Sequence, residues 1–188
     1  MSESAYLTGQ FLVAMPAMAD PNFDRTVTYI CEHNQDGALG IIVNRPTDMS
    51  LGEILAQLDL AVSDPGIATQ PVLLGGPVQP ERGFVIHDAD HEAFSSTLDV
   101  PDGLRVTTSR DILVAMAEGK GPARAVIALG YAGWGAGQLE AEMAANAWLS
   151  VPATADIIFS VPFERRWEAA AALLGVNIAA LSSEAGHA

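Results

Sequence analysis

The chain predicts a mixed α+β fold, a single domain over residues 1–188. Three observations carry that reading. Two apolar strands joined by an Asp-Gly turn form an early hairpin. Capped helices are interspersed later in the chain. No regular strand–helix alternation asks for a doubly wound parallel sheet. At 188 residues, 49% of them hydrophobic, a chain can bury about 70% of its extended surface and needs no disulfide or metal to hold it.

Residues 26–33 alternate, with Val27, Tyr29 and Cys31 on one face and Thr28 and Ile30 on the other. Residues 38–44 form the second strand, and Asn34-Gln35-Asp36-Gly37 between them carries the hairpin turn. Ser50 and Glu53 read as a capping box that starts a short helix with Ile54, Leu55 and Leu58 inward. Strands follow at 71–75 and 83–87 around a Gly- and Pro-rich turn at 75–80. An extended stretch at 97–107 breaks at Pro101-Asp102-Gly103. Thr108 and Asp111 cap a helix running to Glu118 and stopped by Gly119. A buried strand at 123–131 leads into a glycine-rich turn, followed by a helix at 137–146 and a strand at 156–160. The last helix, 163–174, sets Phe163, Trp167, Ala170 and Leu174 on one stripe and ends at Gly175.

The formal net charge is −14, from nine Lys and Arg against 23 Asp and Glu. Nucleic-acid affinity comes mainly from basic side chains that neutralise phosphates. Beyond the pair Arg165-Arg166 no basic cluster exists, so a direct DNA or RNA contact and an anionic-membrane contact are both disfavoured. One cysteine, Cys31, makes an internal disulfide impossible and fits a reducing compartment. Residues 11–19 are a short apolar run ending in Ala17-Met18-Ala19, but Glu3 and Pro16 and the lack of a preceding basic residue argue against a signal peptide. The expected location is the cytoplasm.

The segment from Gly130 to Glu142 is the leading site. Glycines let a backbone approach a guest closely, and amides at a helix start favour an anion or a carbonyl. The expected ligand contacts are Gly133, Trp134, Gly135, Gly137, Gln138, Glu142 and Asn146, with the last three polar side chains on one helical stripe. The spacing matches neither a phosphate loop nor a dinucleotide fingerprint. Asp20, Asn22 and Arg25 form a second polar group whose commoner role is closing turns. Asn44, Arg45 and Arg82 are further candidates for an acidic or polar ligand. Cys31 and His33 share a strand face about 6–7 Å apart, too far for a direct bond. His87-Asp88-Ala89-Asp90-His91 lacks the helical geometry of a zinc site. No serine-nucleophile elbow is present. The sequence therefore predicts no cofactor, no metal and no complete catalytic set.

Taken together, Phe11–Pro16 with Asp20 and Phe23, Tyr29–Asn34, Gly37–Pro46, Leu74–Val78 and Arg82–His87 resemble the AlgH/YqgE family of bacterial proteins. So do Thr108–Asp111, Leu129–Trp134, Gly137–Glu140, Asn146–Leu149 and Ala185–Ala188. The resemblance runs through the whole chain in order. It implies a largely antiparallel, bifurcated sheet rolled into a pseudo-barrel with flanking helices. It also implies a family labelled as transcriptional regulators through a link to alginate production, without an established catalytic activity. No residue is carried over as catalytic. The expected function is a small-molecule- or partner-binding module with an indirect regulatory role. A hydrolase or transferase using Glu142 or His33 as base is the rival, and a direct DNA binder comes third.

Overall fold

A computed structural model describes residues 6–89, 93–100, 104–178 and 180–181. Among the described residues ten strands join one sheet in the order β10-β1-β2-β3-β9-β6-β8-β7, with a branch in which β4 pairs β5 and β5 pairs β9. The strands are β1 (Gln10–Ala14), β2 (Val27–Asn34), β3 (Gly37–Ile42), β4 (Pro46–Ser50), β5 (Pro71–Leu74), β6 (Val78–Asp88), β7 (Thr97–Val100), β8 (Leu104–Thr107), β9 (Ala125–Gly135) and β10 (Trp148–Pro152). Among the described residues the strand pairings are antiparallel except β5 with β9. The helices are α1 (Leu51–Gln57), α2 (Pro65–Ala68), α3 (Arg110–Ala117), α4 (Gln138–Ala144), α5 (Ala155–Phe159) and α6 (Arg166–Ala172), the last preceded by a 3-10 turn at Phe163–Arg165.

The hairpin forms as its sequence predicts. Asn34 pairs Gly37, leaving Gln35 and Asp36 as the two-residue loop, and a bulge falls between Ile30 and Glu32. Ser50 caps α1 with the reciprocal Glu53 bond in place.

The branch is centred on β9. Its residues 127–129 lie parallel to β5, and its residues 132–135 pair instead with β3. Gly130 stands between the two partners with φ +78°, a left-handed conformation that favours glycine. A Cβ on Gly130 would sit 2.5 Å from the Gly76 carbonyl oxygen, and one on Gly76 would sit 2.1 Å from the Tyr131 carbonyl carbon. Gly75 completes the junction, its N–H donating to Leu129 and its carbonyl accepting from Ile42. Backbone packs on backbone here, which only glycine permits.

The sheet curls until β2 touches β7, five places along the order. One face closes over Phe11, Tyr29, Ile41, Phe84, Ile86 and Val151, sealed by Ile157, Ile158, Trp167 and Ala170 from α5 and α6. On the opposite face α4 covers a cluster containing Leu12, Trp134, Leu139 and Trp148. A third cluster, with Leu51, Leu55, Val85, Ile112 and Ile127, lies beneath α1 and α3.

Several sequence expectations are corrected. Strand β9 continues to Gly135, so most of the expected glycine-rich turn is paired strand. The expected turn at 75–80 overlaps the start of β6. Ser109, not Thr108, is the N-cap of α3. The helix expected over 137–146 ends at Ala144. The strand expected at 156–160 is helix α5, capped by Thr154, and the missed strand is β10, held by β1. Leu174 is exposed rather than on the buried stripe. Strands β1 and β4 and helix α2 had no sequence assignment.

Candidate functional site

The glycine-rich segment brings its side chains together around one carboxylate. Glu142 Oε1 accepts from the indole N–H of Trp134 at 3.1 Å and of Trp148 at 2.9 Å. Its Oε2 accepts from Gln138 Nε2 at 3.0 Å, and Gln138 Oε1 accepts the Gly135 N–H at 3.0 Å. Phe23 meets both indoles, with ring centroids 6.2 Å and 5.5 Å away. The helical spacing of four puts Gln138 under Glu142 as expected. Asn146 does not join them: it lies beyond α4 with φ +59° and donates its N–H to Met143. Gly137 caps α4 with φ +74°, and Gly133 pairs Leu39. The Gly135 amide expected to meet a guest is thus already met by Gln138. A shallow, polar hollow of about 560 Å³ does lie beside Gly133, Trp134 and Gly37, rimmed by Glu32 and Asp36.

The second group is held together by its own backbone. Arg45 donates Nη1 to the Asn22 carbonyl and Nη2 to that of Asp24, the latter at 2.9 Å. Asn44 accepts the Val27 N–H and donates to the Arg25 carbonyl, each at 2.9 Å. Asp20 Oδ1 accepts the Asn22 N–H at 2.9 Å, an Asx turn. Arg25, with φ +56°, lays its guanidinium 5.5 Å over Trp167. Arg82 stands apart, 5.3 Å over Phe84.

His33 is buried, and both its ring nitrogens are engaged. Nδ1 accepts the Leu7 N–H at 2.9 Å, which leaves the proton on Nε2 to donate to Glu140 Oε1 at 3.0 Å. That bond, ahead of the Glu140 backbone N–H, lowers the Glu140 pKa from 4.5. Burial, with a smaller push from Glu32, raises the Cys31 thiol pKa strongly and keeps it an inert thiol. His87 is likewise buried, with Nδ1 at 2.7 Å from the Asp88 carbonyl and Nε2 at 2.7 Å from Thr107 Oγ1. Asp90 and His91 lie outside the described residues, as does the 185–188 tail. Among the described residues no cluster of three His, Cys, Asp or Glu side chains is placed to hold a metal.

Sequence reasoning missed a cavity of about 460 Å³ between α1, α3 and the face of β6, β8 and β9. Met49, Ile54, Leu58, Val85, Ile112 and Ile127 form its walls, and Thr108, Ser109, Arg110 and Glu81 stand among its polar lining. Gly83 shares the Val85 side of β6, and a Cβ there would meet no atom within 4 Å. The α3 entrance is ordered by Asp111, whose oxygens accept from Ser109 and from the Ser95 N–H and hydroxyl. Burial raises the Asp111 pKa, but those bonds outweigh it and hold the carboxyl below its usual 3.8.

Fold and site define a class: an α+β protein with a branched, curled sheet and an apolar chamber beneath α1 and α3. The chain belongs to the AlgH-like family, whose model matches residues 11–179. It is 55% identical to a UPF0301 protein of Thioalkalivibrio sulfidiphilus over 188 residues, all of both chains. It is 57% identical to one from Ralstonia nicotianae over 182 residues, 97% of this chain and 95% of that one. The solution structure of the AlgH protein from Pseudomonas aeruginosa superposes with TM-score 0.80 at 50% identity, covering 100% of this chain and 99% of that one. A Corynebacterium diphtheriae protein shares the fold, with TM-score 0.71 at 21% identity over 92% and 89% of the two chains. No described helix is long and apolar enough to cross a membrane.

Proposed function

We propose that this protein is a non-catalytic small-molecule-binding module with an indirect regulatory role, and that its ligand enters the chamber under α1 and α3. The observation that carries the reading is the chamber itself. A volume of about 460 Å³ with apolar walls and a few grouped polar side chains is the usual form of a small-molecule site. The glycine-rich bend is the weaker candidate, because the Gly135 amide and the Glu142 carboxylate serve Gln138 and the two indoles. His33 is a poor general base for the same reason, since a base needs a nitrogen open to substrate. Regulation through a partner suits a chain of charge −14 better than regulation through DNA phosphates.

Octanol and octanoate are suitable probes, matched to an apolar chamber with a polar group at one end. Ligand at 100 times its dissociation constant adds about 2.7 kcal/mol. For a domain of this size that raises Tm by about 5–10 °C. Gly83→Val fills the chamber in a position free of clashes, and it should retain the fold while abolishing the rise. Equal shifts in the wild type and Gly83→Val, or no shift with either probe, would count against the chamber.

A further inference from the structure

On the opposite face of the sheet lies a buried cation without a counter-ion. Arg166, only 3% exposed, opens α6. Its Nε donates to the Val161 carbonyl at 2.7 Å and its Nη1 to the Val43 carbonyl at 2.6 Å. The Phe163 ring lies 4.4 Å from its guanidinium carbon. Two carbonyl dipoles and a ring face supply partial negative charge and no formal charge. Among the described residues no carboxylate pairs with Arg166, and no acceptor takes its Nη2. Burial alone lowers its pKa, to about 10, still far above neutrality, so the group stays charged. Buried charges in proteins are ordinarily paired, and a guanidinium offers five N–H donors, of which two are used here.

Arg166 lines a cavity of about 370 Å³ between the start of β5, the start of β9 and the α5–α6 connection. Gln70, Ser160 and Arg124 are its other hydrogen-bonding side chains, and no Asp or Glu lines it. In a chain with 23 acidic residues and nine basic ones, two arginines in one acid-free hollow are an electrostatic exception. Arg124 is held by Asp88 through two bonds, at 3.0 Å and 2.9 Å, and stacks 5.1 Å over Phe159. It is therefore fixed at the rim with its charge met by Asp88, while Arg166 contributes the unmatched charge and the unused donors.

We infer that this cavity binds a compact oxyanion, a phosphoryl or carboxylate group of a small molecule, on the free edge of Arg166 with Gln70 and Ser160 beside it. The planar fork of a guanidinium suits both groups, because each offers two oxygens at matching spacing. The site lies across the sheet from the apolar chamber and does not depend on it. Val126 faces the cluster sealed by α5 and α6, whereas Ile127 faces the one beneath α3.

The test is a titration of the full chain with sodium phosphate and, separately, with sodium acetate at constant ionic strength. It is followed by NMR at the Ser160 and Phe163 amides and the Arg166 Nε–H. Saturable shifts with phosphate assign a phosphoryl ligand, and saturable shifts with acetate alone assign a carboxylate. Gln70→Glu keeps size and fold, places a negative charge in the hollow, and should weaken binding at least tenfold. Arg166→Lys keeps the charge but loses the fork and should weaken binding by a similar factor. Linear, unsaturated shifts with both salts, or equal affinity in wild type and Gln70→Glu, would overturn the assignment. The octanol result leaves it untouched.

Discussion

Removing the carboxylate of Glu142 tests whether the conspicuous Trp- and Gly-rich segment is a structural clasp. In Glu142→Ala the indole N–H groups of Trp134 and Trp148, donating at 3.1 Å and 2.9 Å, lose their common acceptor. Both residues are buried. A buried donor left unpaired costs about 1–3 kcal/mol. Glu142 itself is only half-buried, so its removal admits water toward the indoles and favours the lower half of that range. Two donors then give about 2–4 kcal/mol, with Gln138 and its bond to the Gly135 amide loosening as a further small loss. Urea unfolding followed by far-UV circular dichroism reads the cost as a lower midpoint at unchanged slope. Near-UV circular dichroism reports the altered packing of the Trp134–Trp148–Phe23 cluster. Glu142→Gln retains one carbonyl for both indoles and should cost less than about 1 kcal/mol. Should Glu142→Ala lie within about 0.5 kcal/mol of wild type, a value typical of unimportant surface changes, the clasp is not structural. The carboxylate would then be available to a ligand after all.

Gly130→Ala puts a Cβ 2.5 Å from the Gly76 carbonyl oxygen at φ +78°. The left-handed backbone costs about 1–2 kcal/mol and the overpacking about 1–3 kcal/mol, so thermal unfolding should show one of the largest losses of any Gly→Ala change. Glu140 supplies a pH dependence. Its pKa is lowered in the folded state by the His33 Nε2–H, so its contribution is present above the unfolded value near 4.5 and is lost as pH falls through the folded value. Glu140→Gln should lower stability by a small amount above pH 4.5 and flatten the acid limb, the two curves converging as pH falls through the folded value; the loss is small because the Glu140 side chain is partly exposed.

Local chemistry was legible in the sequence wherever it acts over a few residues. The Asp36-Gly37 hairpin and the Ser50–Glu53 capping box depend on neighbours in the chain, and both form. The errors have a common cause in short apolar runs. Residues 156–160 read as a strand, a reading that the β-branched Ile157 and Ile158 favour, yet Thr154 accepts the Ile157 N–H and starts a helix. Trp148–Pro152 read as nothing in particular, since its strand exists only because β1 offers an edge. The same limit governs the sites. Glycine density singled out Gly130–Gly137, but close approach occurs at Gly130, where the approaching group is the chain's own backbone at Gly76, while a Cβ at Gly137 would meet nothing within 4 Å. The apolar chamber draws its walls from α1, α3, β6, β8 and β9. Each wall residue looks like ordinary core until the sheet curls, so no local pattern can announce the cavity. Arg166 is different, for its signal was present and unread. It stands three residues after Phe163 and four before Ala170, on the very stripe that Trp167 marks as buried. A charge on a helix face that packs inward needs a counter-charge or a ligand. That requirement is what makes the Arg166 hollow the more demanding of the two sites, since the chamber can stay empty at little cost and a buried guanidinium cannot.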